Sequence, residues 1–116
     1  MNKSSIPDMV VDFRRKRMRV PKAALRMIKC PHYVRLLVHP EERYVAITVG
    51  LEGDPLSHRV PDYIYCSKES FEITSHFFLT HLQEYGLFPT NITSCSLKAR
   101  ACLDEQFVVF SFPDKE

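Results

Sequence analysis

The chain has 116 residues, 45% of them hydrophobic and 26% charged, with a net charge of +2. A domain of this length buries roughly two-thirds of the surface its unfolded chain exposes, so it needs no disulfide or metal staple, and the composition excludes a disordered chain. Three glycines are too few for loops that cradle phosphates, which removes dinucleotide-binding and P-loop chemistry.

In chain order, residues 1–11 read as a flexible, polar N-terminus. Residues 10–20 are compatible with an extended segment: Val11, Phe13, Met18 and Val20 are apolar, and residues 14–17 interrupt the alternation as a bend or exposed strand. Pro21 suits the start of a helix because its φ is already helical and its missing N–H would lack a partner there. Ala23, Ala24, Leu25 and Ile28 give that helix an apolar face, and Arg26 and Lys29 sit near its C-terminus, where the helix dipole favours cations. Cys30-Pro31 closes the helix, residues 33–38 form a strand, residues 39–43 a turn, and residues 44–48 the returning strand.

Gly50, Gly53, Pro55 and Pro61 mark residues 51–70 as a connector, with residues 63–66 an added strand or a packed extension of it. A second strand is expected at residues 71–73, followed by a helix capped by Thr74 or Ser75. Phe77, Phe78, Leu82 and Tyr85 would form its apolar face and Gly86 its C-terminal cap. A connector containing Pro89 leads to a last hairpin, residues 94–101 and 107–112, turning at Asp104-Glu105.

The pattern strand, short helix, strand, turn, strand thus occurs twice. Val20 aligns with Ile73 at an offset of 53, and the hairpins align at an offset of 63, with the difference absorbed between helix and hairpin. A unit this small cannot bury its own apolar face and must stack on another. The expected architecture is a single α+β domain. It comprises a first repeat over residues 12–50 and a degenerate second repeat over 71–112, joined into a small pseudo-symmetric, β-barrel-like body with two short helices.

Charge divides along the same boundary. Residues 1–50 carry eleven Lys/Arg against four acids, and residues 51–116 carry five against ten. A basic half beside an acidic one is the footprint of a nucleic-acid face, of a contact within or between chains, or of ordinary solvated charge.

Cys30, Cys66, Cys95 and Cys102 have no CxxC spacing and no signal-peptide run precedes them, so a cytoplasmic protein with free, mostly buried thiols is expected. No apolar run is long enough to span a bilayer, and no membrane partner is expected. Neither Cys30-Pro31-His32 nor His76 with His81 has the spacing of a zinc site, and no GxSxG-type nucleophile motif is present. Glu41-Glu42 and Asp104-Glu105 fall in turns, where acids serve turn formation and solubility. The reading is a non-enzyme with no cofactor, metal or catalytic group.

Lys16-Arg17-Met18-Arg19-Val20-Pro21-Lys22, the helix with Leu25-Arg26, and the hairpin of residues 33–48 together resemble the SpoVT/AbrB family of small DNA-binding proteins. The resemblance covers residues 12–48. It implies a swapped-hairpin barrel, usually a dimer, and MraZ-like members carry two copies in one chain. It also implies that Arg17 and Arg19 on the strand and Arg26 on the helix, with Arg14, Arg15, Lys16 and Lys22, form a nucleic-acid-binding set. Guanidinium groups match both phosphates and base edges.

The sequence departs from the family pattern in three places. Lys16 replaces the glycine before the strand arginine, the linker lacks Gly-Asp, and the second repeat has Thr74-Ser75 for Pro-Lys and Glu72 for Arg19. The expected partner is double-stranded DNA, bound by a transcription-regulator-like protein. The alternative is a protein-binding accessory or inhibitor module of a mobile element, including anti-defence roles, with a homodimer as a further possibility.

Overall fold

Period-two burial builds most of the molecule. The structure is a computed structural model that describes residues 7–85, 92–103 and 106–112. In β1 (Met9–Asp12) and β2 (Arg17–Val20), Met9, Val11, Met18 and Val20 are fully buried, while Val10, Asp12, Arg17 and Arg19 alternate with them on the outer side. The first helix, α1 (Lys22–Met27), follows an extended Pro21 and buries Ala24 and Leu25. It ends where Lys29 (φ 72°) and Cys30 (φ 50°) turn left-handed, a reversal that lets β3 (Tyr33–His39) run back along the barrel.

The hairpin partner is β4 (Tyr44–Val49), and β5 (His58–Arg59) adds two residues to the other edge of β3. After α2 (Asp62–Cys66), β6 (Phe71–Thr74) pairs with β2, and α3 (His76–Glu84) follows. The chain ends in β7 (Ser94–Leu103) and β8 (Phe107–Ser111). All pairings are antiparallel, in the order β5-β3-β4-β8-β7-β1-β2-β6, a sheet curled into a nearly closed barrel. β7 belongs to both parts of it: residues 94–97 pair with β1, and from Lys98 onward it pairs with β8.

Leu25, Ile47, Leu79, Leu82, Leu97 and Phe110 meet inside the barrel at no more than 1% exposure, joined by Met9, Val11 and Met18. Burial of each such side chain contributes about 1.5–3 kcal/mol. Two registers tie the first half to the second. On β2 and β6, Met18 opposes Ile73, Arg19 opposes Glu72 and Val20 opposes Phe71. On β4 and β8, Tyr44 opposes Ser111, Ala46 opposes Val109 and Thr48 opposes Phe107.

Several expectations are corrected. The described chain has three helices rather than two, because residues 62–66 coil: Pro61 precedes the first turn, Asp62 lies within it, and Ile64 is buried beneath. Residues 9–11 are barrel strand and not flexible terminus, since Met9 and Val11 both continue the period-two burial of Phe13. On α3 the buried pair is Leu79 and Leu82, whereas Phe77 is 68% exposed and Tyr85 45% exposed. Cys30 and Cys66 are exposed and Cys95 half-buried, so the described thiols are not mostly core. The expected cap of α3 is present: of the two candidates, Thr74 and Ser75, it is Ser75, accepting the Phe78 N–H at 3.1 Å. Gly86, Pro89 and the Asp104-Glu105 turn lie outside the described residues. Among the described residues no helix is long and apolar enough to cross a membrane.

Candidate nucleic-acid interface

The turn between β1 and β2 is short because Asp12 folds it: its Oδ1 accepts the Arg15 N–H at 3.1 Å. Lys16 leaves the turn at φ 58°, the left-handed region that favours glycine. The Lys16 carbonyl accepts the Ser75 N–H at 3.1 Å, tying the turn to the start of α3.

Strand alternation then places Arg17 and Arg19 together on the outer side of β2, because Met18 and Val20 must face the core. Opposite them β6 contributes Glu72. Its Oε1 lies 3.2 Å from Arg17 Nη1 and its Oε2 3.2 Å from Arg19 Nη2, one carboxylate held between two guanidinium groups. Arg15, Arg17 and Arg19 line one shallow depression with Val10, Asp12 and Glu72. Arg14 and Arg15 line a second with Asp12, Thr93 and Ser94. The two share Asp12 and Arg15, so four arginines border one continuous surface that holds two carboxylates. Arg14 and Arg15 are exposed and carry no ion pair among the described residues.

The other members of the expected set are elsewhere. Lys22 directs its ammonium onto the carbonyls of Ile64, at 3.0 Å, and Ser67, where it holds the end of α2. Arg26 is exposed on the last turn of α1, near Tyr65, whose hydroxyl donates to the Pro31 carbonyl at 2.7 Å. Burial, with the charge of Cys30, pushes the Tyr65 phenol up to about 12, while Arg26 pulls in the opposite direction. Lys22 and Arg26 line neither arginine depression. Sequence reasoning missed Glu72 as a clamp. Its only signal was its alignment with Arg19, and a carboxylate in the place of an arginine gives no hint that the two face each other until the strand register is known.

Chemically, the surface can present guanidinium groups at a turn and along a strand to an anionic backbone, with Glu72 fixing the direction of two of them. The histidines do not converge. His32 Nδ1 lies 3.3 Å from Asp62, His81 packs on Phe77 and approaches Glu84, and no group of three or more His, Cys, Asp or Glu side chains gathers among the described residues. No family model matches the chain, and no curated protein or solved structure matches it.

Proposed function

We propose that this chain is a DNA-binding, transcription-regulator-like protein with a duplicated SpoVT/AbrB-like build, and that its binding face is the β1–β2 turn with the outer side of β2. The single observation that carries the reading is the gathering of Arg14, Arg15, Arg17 and Arg19 around two adjoining depressions. Lys16 belongs to the same turn, whereas Lys22 supports the fold through α2.

The duplication draws support from the registers. At an offset of 53 residues Met18 corresponds to Phe71 and Val20 to Ile73, and the ladder pairs Met18 with Ile73 and Val20 with Phe71, with Arg19 and Glu72 on the local two-fold. At an offset of 63 the same exchange relates Tyr44–Ser111 to Thr48–Phe107 about Ala46 and Val109. Offsets taken from the sequence therefore agree with a two-fold relation in both ladders.

Fluorescence anisotropy with a labelled DNA duplex across a salt series tests the reading. Affinity should fall as salt rises, and replacing both Arg14 and Arg15 by Ala should lower the logarithmic salt slope by about one for each phosphate no longer neutralised. Binding independent of salt, or an unchanged slope in the double variant, refutes it.

A second reading, a protein-binding accessory or inhibitor module of the kind mobile elements carry against host defences, is favoured by a different surface. The outer face of β3, β4 and β8 has an apolar pit lined by Leu37, Tyr44, Ala46, Phe107 and Val109, on the side of the sheet where polar residues belong. This reading requires a partner retained from nuclease-treated host lysate and lost on Phe107→Glu, together with no anisotropy change on DNA at low salt.

A further inference from the structure

The barrel is open along a seam between β3 and α3. In β3 and the residue before it, the main-chain groups point alternately to either side: the His32 carbonyl accepts the Val60 N–H at 2.8 Å, and the Tyr33 carbonyl accepts the Gly50 N–H at 2.7 Å from the β4 side. By the same alternation Leu36 and Val38 direct their N–H and C=O groups to the side of β5. Yet β5 pairs only with Tyr33 and Val34, and no described strand takes up Leu36 or Val38.

This edge borders a groove of about 370 Å³ lined by Leu36, Val38, Leu56, Phe77 and Phe78, with Arg35 where β5 begins. Leu56 and Phe77 are 56% and 68% exposed. A side chain at Gly50 would collide with Ser57, whose hydroxyl accepts the Leu51 N–H at 3.0 Å, so glycine there keeps the loop that carries Leu56 in place.

A second edge that no described strand covers shows what is unusual about this one. Beyond Leu97, opposite the first residue of β1, no described strand pairs with β7 on that side, but there Lys98 and Arg100 stand exposed and a bulge between Ala99 and Ala101 breaks the register. Cations and bulges are the usual defence of an edge against unwanted pairing. Residues 36–38 are Leu-Leu-Val, with no charge, proline or bulge.

We propose that the β3 edge is a docking site for the C-terminal segment of a partner protein, added as an antiparallel strand with alternate apolar side chains in the groove and its terminal carboxylate on Arg35. Direction and charge select this occupant. A segment antiparallel to β3 runs in the same sense as β5 and must stop where β5 begins, which places its last residue beside Arg35. The Arg35 side chain is 36% exposed; its buried Nε lies 3.7 Å from Asp54 Oδ2, and its two outer guanidinium nitrogens make no hydrogen bond among the described residues, so they retain donor capacity for a carboxylate. Burial holds the nearby His58 imidazole below its ordinary range, leaving Arg35 as the lasting cation of the groove. The N-terminus of α3, at Ser75, also lines the groove and favours negative charge.

A second copy fits less well. Pairing β3 of one copy with β7 of another would set Arg35 against Lys98 and Arg100. Any whole barrel would also have to clear Leu56 and Phe77, which a single extended chain passes between.

The probes are hexapeptides acetyl-Thr-X-Thr-X-Thr-X, with X as Val, Leu, Ile or Phe, each made as the free acid and as the C-terminal amide. They are titrated into isotope-labelled full-length protein. At least one free acid should shift the backbone signals of Leu36, Val38, Leu56 and Phe77, and bind about tenfold more tightly than its amide, the factor of one charge-assisted hydrogen bond. Arg35→Gln should make acid and amide equal. Leu56→Asp, at an exposed position, should abolish both interactions while the rest of the spectrum keeps its dispersion. The proposal is overturned if no free acid shifts β3, or if acid and amide bind the unaltered protein equally. It is also overturned if sedimentation shows a dimer that Leu56→Asp dissociates, because the occupant is then a second copy. None of these outcomes touches the arginine face on β2.

Discussion

Arg19 on β2 and Glu72 on β6 stand opposite each other in the ladder, each on the outer side of its strand and each flanked by two buried residues. Around them the two halves of the barrel follow the same order of elements, β2-α1-β3-β4 and β6-α3-β7-β8. They bury matching apolar side chains. They show the solvent opposite charges. The first half carries Arg17 and Arg19 outward, and the second supplies the carboxylate that holds them. The helices differ in the same spirit: α1 has six residues and no side-chain cap, whereas α3 has nine and is capped by Ser75. Inward positions are fixed by the need to fill one core, while outward positions face solvent and are free to differ in charge.

The strongest challenge to this comparison is at the inward positions. Leu25 on α1 and Leu79 on α3 are both fully buried, so Leu25→Ala and Leu79→Ala should each cost about 3 kcal/mol in urea unfolding. A large loss for one and none for the other would show that the halves do not share one core. Removing the cap sharpens the contrast between the helices: Ser75→Ala should cost about 1 kcal/mol by thermal unfolding, whereas no substitution in α1 can remove a cap that is absent.

Glu72→Ala separates stability from binding. The clamp is partly exposed, so its loss should cost less than about 1 kcal/mol, while under the proposed DNA-binding function the affinity measured by anisotropy should rise as two guanidinium groups lose a competing carboxylate. A fall in affinity would mean that Glu72 orients the arginines more than it neutralises them. The smallest effect is expected at the turn. Lys16→Gly relieves a left-handed backbone at φ 58° but adds freedom to the unfolded chain, for a net gain of about 0.5 kcal/mol in the unfolding midpoint analysis.

The sequence was most legible where one period ruled. Residues 33–38 and 44–48 read as a hairpin because their apolar runs are bounded by a proline-containing turn, and they pair as such. Helix α1 was legible through Val20-Pro21 followed by Ala24 and Leu25. Residues 63–66 were not: two tyrosines and an isoleucine have strand propensity, and the helical signal lay in the preceding Pro61-Asp62, whose fixed φ and first-turn carboxylate start a coil that propensity disfavours. On α3, large aromatics drew attention to Phe77 and Tyr85, yet Leu79 fits the space beneath the helix and they do not. The arginine face was half legible. Alternation put Arg17 and Arg19 on one side of a strand, but Glu72 enters through cross-strand register, which depends on how two distant segments meet. Lys22 read as part of that face because sequence proximity says nothing about the carbonyls of Ile64 and Ser67.

β7 joins β1 to β8, and this joint sets a timetable. During synthesis Met9–Asp12 can pair with β2 as soon as both have emerged, but its other edge waits for Ser94–Leu97, much later in the chain. A nascent chain therefore carries a half-made barrel, with Met9 and Val11 lacking one neighbour, until β7 has been synthesised. Closure brings together segments far apart in sequence, the kind of non-local pairing that places folding in milliseconds to seconds rather than microseconds.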